Sequence, residues 1–319
     1  MLNRRQSLHI YPLARFASAT LSILVACTAQ KVDPSYTPRI AHPAYAGNGP
    51  VVCMDEAHNN SHTAQGLYRP FADLLAKDGF RIRSLKSGLG RGMPRGCRVL
   101  ITVNAAGGRT YKLFGMNLPT KSRERRHLSA FSAAEIDTIV HWVEGGGSVL
   151  LVADHYPYGG AASALGKALG VDMSEGFTEA SNVDSARPRD HSRLAYSRDN
   201  GLLRDHPITN GRSPNERVKR VVTFTGQSLA STSGTALLVL GDSAVDYVPP
   251  PPTFQGRPAN GRAQAIALEI GKGRVFVMAE AAALTAQIDD KGDRFGMQLS
   301  GADNQQFALN IVRWLGRLF

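Results

Sequence analysis

Ser148-Val149-Leu150-Leu151-Val152-Ala153 is an almost wholly apolar run of strand length, the pattern of a central parallel strand covered on both faces. The residues before it form a helix with both ends marked. Ser132-Ala133-Ala134-Glu135 makes a capping box, Ile136, Ile139, Val140 and Val143 fall on one face, and Gly145-Gly146-Gly147 stops the helix. Helix followed by buried strand is half of a βαβ unit, and the other half precedes it. Val51 to Met54, Phe80 to Leu85 and Arg98 to Val103 read as strands, and Gly66 to Asp78 has helical spacing at Leu67, Phe71, Leu74 and Leu75. This alternation predicts an α/β fold, a doubly wound, mainly parallel sheet in a three-layer αβα sandwich of flavodoxin-like type.

Further along, a helix is expected over Gly160 to Leu169, then strands at Val218 to Phe224 and Ala236 to Leu240. A hairpin of Gln264 to Ile270 and Arg274 to Met278 follows, turned at Gly271-Lys272-Gly273. A last helix from about Asp303 packs Phe307, Ile311, Trp314 and Leu315 inward. The polar segment 174–217 is too long for an ordinary connection and is expected to be a lid or insertion, with Asp190, His191 and Arg193 in reach of a ligand. One α/β domain thus spans 50–319.

The N-terminus reads as a targeting segment. Arg4, Arg5 and Arg15 precede a modest apolar run from Phe16 to Ala26, which is too short for a permanent membrane span. Leu24-Val25-Ala26-Cys27 resembles the lipobox of bacterial lipoproteins, so residues 1–27 are expected to be a signal peptide ending at a lipidated Cys27, with 28–49 a polar tether. Arg4-Arg5-Gln6-Ser7-Leu8 also resembles a twin-arginine signal. The expected location is the cell envelope, facing the periplasm, on the outer membrane because Thr28 gives no retention signal. The formal charge of +11 survives loss of the signal in large part. Lys121, Arg123, Arg125, Arg126 and His127 concentrate some of it in one loop, either a solvated face or a contact with anionic headgroups. No nucleic-acid-binding motif is visible, so the expected partners are the membrane through the lipid and a small molecule, glycan or envelope protein. Of the remaining cysteines, Cys53 near the end of one strand and Cys97 at the start of another are expected too far apart for a disulfide.

Ligands of open α/β sheets bind beyond the carboxyl ends of the strands, and polar residues gather there. The first strand runs into Asp55-Glu56-Ala57-His58-Asn59-Asn60-Ser61-His62, the third into Asn104-Ala105-Ala106-Gly107-Gly108, the fourth into Asp154-His155, and the hairpin into Glu280. His58 and His62, spaced i, i+4, would align on a helix, and Asp55 or Asp154 could complete a site for a divalent metal such as zinc; the alternative is a structural network. Asp154, His155 and Glu280 are the candidate catalytic residues, a carboxylate beside a general base. Glu56, Asn59, Asn104, Gly107 and Gly108 are candidate ligand contacts, the glycine amides suiting an anion. No Gly-x-Ser-x-Gly or Gly-x-Cys-x-Gly elbow is present.

Several stretches are similar to a bacterial lipoprotein branch of the class I glutamine amidotransferase-like superfamily, related at fold level to trehalose-utilisation-type proteins and to gliding-motility and intraflagellar-transport domains. They are Phe131 to Gly170, with Trp142-Val143-Glu144-Gly145-Gly146-Gly147 and Ala153-Asp154-His155-Tyr156-Pro157, then His206-Pro207-Ile208-Thr209-Asn210-Gly211, then Asn304 to Leu315. The resemblance implies the layered fold and a strand-end site. It does not imply glutaminase activity, because Asp154 and His155 stand where the nucleophilic Cys would align. The functional expectation is an exported hydrolase, metal-assisted or acid/base, of unknown substrate. The alternative is a non-catalytic envelope module that binds or assembles with a glycan, peptide or partner protein.

Overall fold

The computed structural model describes residues 30–107, 110–113, 116–119, 128–185, 190, 192–248 and 253–319. Cys27 and the rest of the expected signal peptide, the basic loop residues 121–127, Gly108 and His191 lie outside the described residues.

A nine-stranded sheet forms the centre. Its strands are β1 (Val51–Asp55), β2 (Arg81–Leu85), β3 (Cys97–Val103), β4 (Ser148–Val152), β5 (Asp172–Met173), β6 (Leu229–Ala230), β7 (Thr235–Val239), β8 (Ala263–Ile270) and β9 (Gly273–Met278). They lie in the order β2-β1-β3-β4-β9-β8-β6-β5, with β7 also against β8. Neighbours from β2 to β9 are parallel, and every pairing beyond β9 is antiparallel.

The expected doubly wound, mainly parallel sheet in a three-layer sandwich is therefore corrected to a mixed, strand-rich architecture. Among the described residues strands outweigh helices, and four smaller sheets, all antiparallel, accompany the large one. The reversal has a local cause. The β8–β9 hairpin turns at Gly271, whose φ of +56° suits glycine, and it presents β8 running against the parallel set. Whatever then pairs with β8 over a short connection runs antiparallel in turn.

Alternating side chains of the parallel strands feed two cores. Val52, Met54, Leu150, Val152, Phe276 and Met278 face helices α1 (Arg69–Lys77) and α5 (Asn304–Leu315), with the one-turn helix α4 (Pro207–Asn210) beside α5. Cys53, Leu100, Val149, Leu151, Val275 and Val277 face α2 (Ala133–Glu144) and α3 (Tyr158–Ala168). Each such side chain fully buried contributes roughly 1.5–3 kcal/mol. Ser132 and Glu135 cap α2 reciprocally, as the sequence predicts.

The segment 174–217 is packed rather than loose where described. Leu194, Tyr196, Leu203 and Ile208 are all buried in the main core. Residues 30–49 also lie on the domain instead of forming a free tether. Lys31–Val32 pairs with Ala286–Ile288, Tyr36 donates to Gln305 Oε1 at 2.8 Å, and Asp78 Oδ1 accepts from Ala44 N at 2.8 Å. Asp78, at the end of α1, forms a buried ion pair with Arg313 of α5.

Cys53 and Cys97 are joined by a disulfide with Cα atoms 5.8 Å apart, contrary to the expectation from their places in the strands. The register explains it. Cys97 is level with Val51, and a bulge brings Val52 against Val99, so Cys53 lies two residues along and on the same face.

Candidate functional site

Strands β1, β3, β4 and β9 are neighbours and parallel, so the residues that follow them share one edge of the sheet. Asn104 is the joint of that edge. Its Oδ1 accepts from Asp154 N at 2.9 Å, its Nδ2 lies 3.2 Å from His62 Nδ1, and its carbonyl accepts from Ser61 N at 3.2 Å. It does this buried and at a φ of +46°, a strained backbone for a residue other than glycine.

Around Asn104 stand Asp154, His62, Tyr68 and Glu280. His62 packs edge-on to Tyr68 with ring centres 5.2 Å apart. Burial pulls its pKa down to about 4, with the Asp154 charge opposing, so it is a neutral imidazole at pH 7. Tyr68 is fully buried and donates to the Ala281 carbonyl at 2.7 Å. Glu280 is 0% exposed, and burial first, then the Asp154 charge, pushes its carboxyl well above the ordinary range. Its oxygens accept from Ala282 N at 2.6 Å and Ala283 N at 2.8 Å. A buried carboxyl thus lies beyond one strand end and feels the Asp154 charge beyond the neighbouring one.

Asp154 and His155 occupy the outer side. Asp154 Oδ1 accepts from His155 N at 2.7 Å and lies 3.9 Å from His155 Nε2. His155 Nδ1–H donates to the Tyr156 carbonyl at 2.9 Å, which leaves Nε2 carrying the lone pair. The ring stacks on Phe177 at 4.6 Å and stays partly exposed. Gln227 braces the strand end, with Nε2 on the carbonyls of Ala153 and Asp154 at 2.8 and 3.1 Å and Oε1 accepting from Glu175 N at 2.9 Å. Sequence reading missed Gln227 and Tyr68, which lie in segments without a strand-end signature. A buried tyrosine following a histidine-rich loop was the one available cue.

The expected metal triad is not assembled. Residues 56–68 form loop and turns, with α1 starting only at Arg69, so the i, i+4 spacing aligns nothing. Asn59 is exposed and turns the chain at φ +52°. His58 is buried, with Nδ1 2.9 Å from both oxygens of Asp55 and Nε2 3.1 Å from Glu135 Oε1. Both ring nitrogens point at carboxylates, which leaves no lone pair for a metal. Among the described residues no cluster of three or more His, Cys, Asp or Glu has metal-holding geometry. Burial alone would lower the His58 pKa, but the bonds and charges of Asp55 and Glu135 outweigh it and raise it. Asp55 Oδ2 also accepts from Thr102 Oγ1 at 2.8 Å. Glu135 joins the clamp in addition to its capping role.

The remaining candidates divide. Glu56 Oε1 accepts from Ala64 N at 3.0 Å and Ser84 Oγ at 2.8 Å, which ties down the loop instead of facing a ligand. Gly107 is half-buried at the end of the described Asn104 loop, and Gly108 lies outside the described residues. Arg193 is buried, with its guanidinium over Phe224 and Phe295 at 5.3 and 5.0 Å and its Nε 3.2 Å from Asp190. Arg193 holds the core there.

No family model matches the chain, and no curated protein matches it. Among solved structures it is similar to the mmIFT52 N-terminal domain, with a TM-score of 0.53 and 14% identity over 83% of this chain and 96% of that one. A ThuA-like protein from Bacteroides uniformis gives 0.43 and 12% over 86% and 95%. An exo-beta-1,4-mannosidase from Opitutaceae bacterium strain TAV5 gives 0.36 and 12% over 73% of this chain and 31% of that one. The likeness to the first is one of fold.

Proposed function

We propose that the chain is an exported envelope protein whose strand-end site is an acid/base hydrolase centre, with Asp154 and His155 meeting the substrate and Glu280 holding a proton behind them. The observation that carries this reading is Asp154, its backbone N held by Asn104 and its Oδ1 3.9 Å from the Nε2 of a partly exposed His155, with the buried Glu280 carboxyl near enough to feel its charge. A buried carboxyl pushed above its ordinary range close to a second carboxyl suits an acid held next to a base. With Nδ1 engaged by the Tyr156 carbonyl, His155 Nε2 suits activation of a water, and the Asp154 charge stabilises the imidazolium that results. Lipidation of Cys27 would hold the domain at the outer membrane. No helix among the described residues is long and apolar enough to cross a membrane.

A second reading is favoured by one observation. Both Glu280 oxygens accept backbone N–H groups, as a purely structural cap would, and a rigid cradle of Asn104, His62 and Asp154 suits a non-catalytic module that binds a polar ligand. Full-length protein in detergent, assayed against fluorogenic glycosides, esters and peptides, separates the two. Turnover of one class is expected, falling about 10²-fold in Asp154→Asn with little change in Tm. Turnover that Asp154→Asn leaves intact contradicts the hydrolase. Ligand-induced rises in Tm without any turnover favour the module.

A further inference from the structure

The disulfide has an unusual neighbour. Arg83, on β2, places Nη2 2.8 Å from Cys97 Sγ and 3.3 Å from Cys53 Sγ. Its one other hydrogen bond is to the Arg95 carbonyl at 2.9 Å, and its Nε is buried without a partner. Among the described residues no carboxylate pairs with this guanidinium. A neutral disulfide is a weak acceptor and returns little for desolvating a cation, whereas a thiolate in the same place is a strong, charge-assisted one. The cation is therefore arranged for the reduced state of the pair, not for the oxidised one.

We infer that Cys53–Cys97 is a thiol–disulfide exchange site for a small external thiol, in which Arg83 holds the outgoing thiolate. The two sulfurs differ in access. Cys97, the first residue of β3, is only partly buried, while Cys53, in the middle of β1, is fully buried. An incoming thiolate bonds to Cys97 Sγ, the bond to Cys53 breaks, and its electron pair stays on Cys53 Sγ beside the guanidinium. A second external thiolate attacks its own sulfur in the mixed disulfide and releases Cys97. Two external thiols become one external disulfide, and the protein disulfide becomes two thiols. The site lies toward the amino end of β3, away from Asn104 and Asp154 at the carboxyl ends. It does not rest on the hydrolase reading.

The test uses the full chain in detergent micelles, equilibrated with glutathione and glutathione disulfide, quenched with acid and counted for free thiols by maleimide-polymer gel shift. Circular dichroism reports the fold in the same samples. The inference predicts one reversible transition with the native spectrum retained. Arg83→Gln should need an about tenfold higher ratio of squared glutathione to its disulfide for half-reduction, since it removes the charge that favours the thiolate. Arg83→Lys should stay within about threefold of wild type. Cys53→Ser should take up glutathione at Cys97 while folded, and Cys97→Ser should leave Cys53 unmodified until denaturant is added. These two variants keep Arg83 and so remain decisive even if Arg83→Gln does not fold. Reduction that occurs only with loss of the native spectrum, equal titration of wild type and Arg83→Gln, or adducts confined to Cys53 would each overturn the inference.

Discussion

Asp78→Ala should lower the free energy of unfolding by about 3–5 kcal/mol, the usual consequence of removing one partner of a buried ion pair. Asp78 and Arg313 are both buried, at 0% and 1% exposure. Arg313 Nε donates to Asp78 Oδ2 at 2.8 Å and Nη2 to Oδ1 at 2.6 Å, a two-pronged contact between α1 and α5. The same guanidinium reaches Glu216 Oε1 at 2.9 Å and the His42 carbonyl at 3.1 Å. One cation therefore ties the N-terminal segment, both helices of this core and the turn at Pro214–Glu216. Urea unfolding followed by Trp314 fluorescence would measure the loss. The double substitution Asp78→Leu with Arg313→Met should recover most of it, because an apolar pair does not carry the desolvation cost. A loss below about 1 kcal/mol in Asp78→Ala would mean that water reaches the pair.

His58→Leu should cost a similar amount near pH 6, roughly 3–5 kcal/mol, because it leaves Asp55 and Glu135 without the imidazole that bridges them. The pH dependence carries a sign that a packing defect would not. The folded His58 pKa is raised from 6.5, so its contribution is complete below about pH 6.5 and is lost as pH rises through the folded value. Glu135 behaves in the opposite sense. Burial would raise its pKa, but bonds from Ser132, Leu89 and His58 bring it from 4.5 to about 2. Its contribution is present above about pH 4.5 and fades as pH falls toward 2. The clamp is thus strongest between about pH 4.5 and 6.5. The difference in unfolding free energy between wild type and His58→Leu should shrink on both sides of that window. A difference that stays flat from pH 5 to pH 9 would show that His58 is not a bridging imidazolium.

The local elements were legible because each carries its own signal. The box at Ser132 and Glu135, the apolar run of β4, the Gly271 turn and the stripe of Phe307, Ile311 and Trp314 all act over a few residues. The gathering of Asn104, Asp154 and Glu280 was legible for a simple reason, since parallel neighbours bring their carboxyl ends together. What failed depended on register or on pairing at a distance. Strands β5 and β6 are two residues each, too short for any alternation to show, and their antiparallel place follows from the direction of β8. The bulge at the start of β3 that aligns Cys97 with Cys53 leaves no trace in composition. His58 was misread because its spacing to His62 suggested a helix where the chain makes a loop. Glu135 was hidden behind its capping role, which already accounted for a glutamate at that position.

The state of Glu280 tests the central claim most directly. Carbon-13 NMR of the glutamate carboxyl groups, assigned through Glu280→Gln, would follow its titration in the folded protein. The account predicts that Glu280 titrates well above 4.5, and that Asp154→Asn lowers its pKa without restoring it to 4.5, because burial is the larger cause and the Asp154 charge the second. A Glu280 that titrates near 4.5 and ignores Asp154→Asn would contradict an acid and a base held side by side at the strand ends.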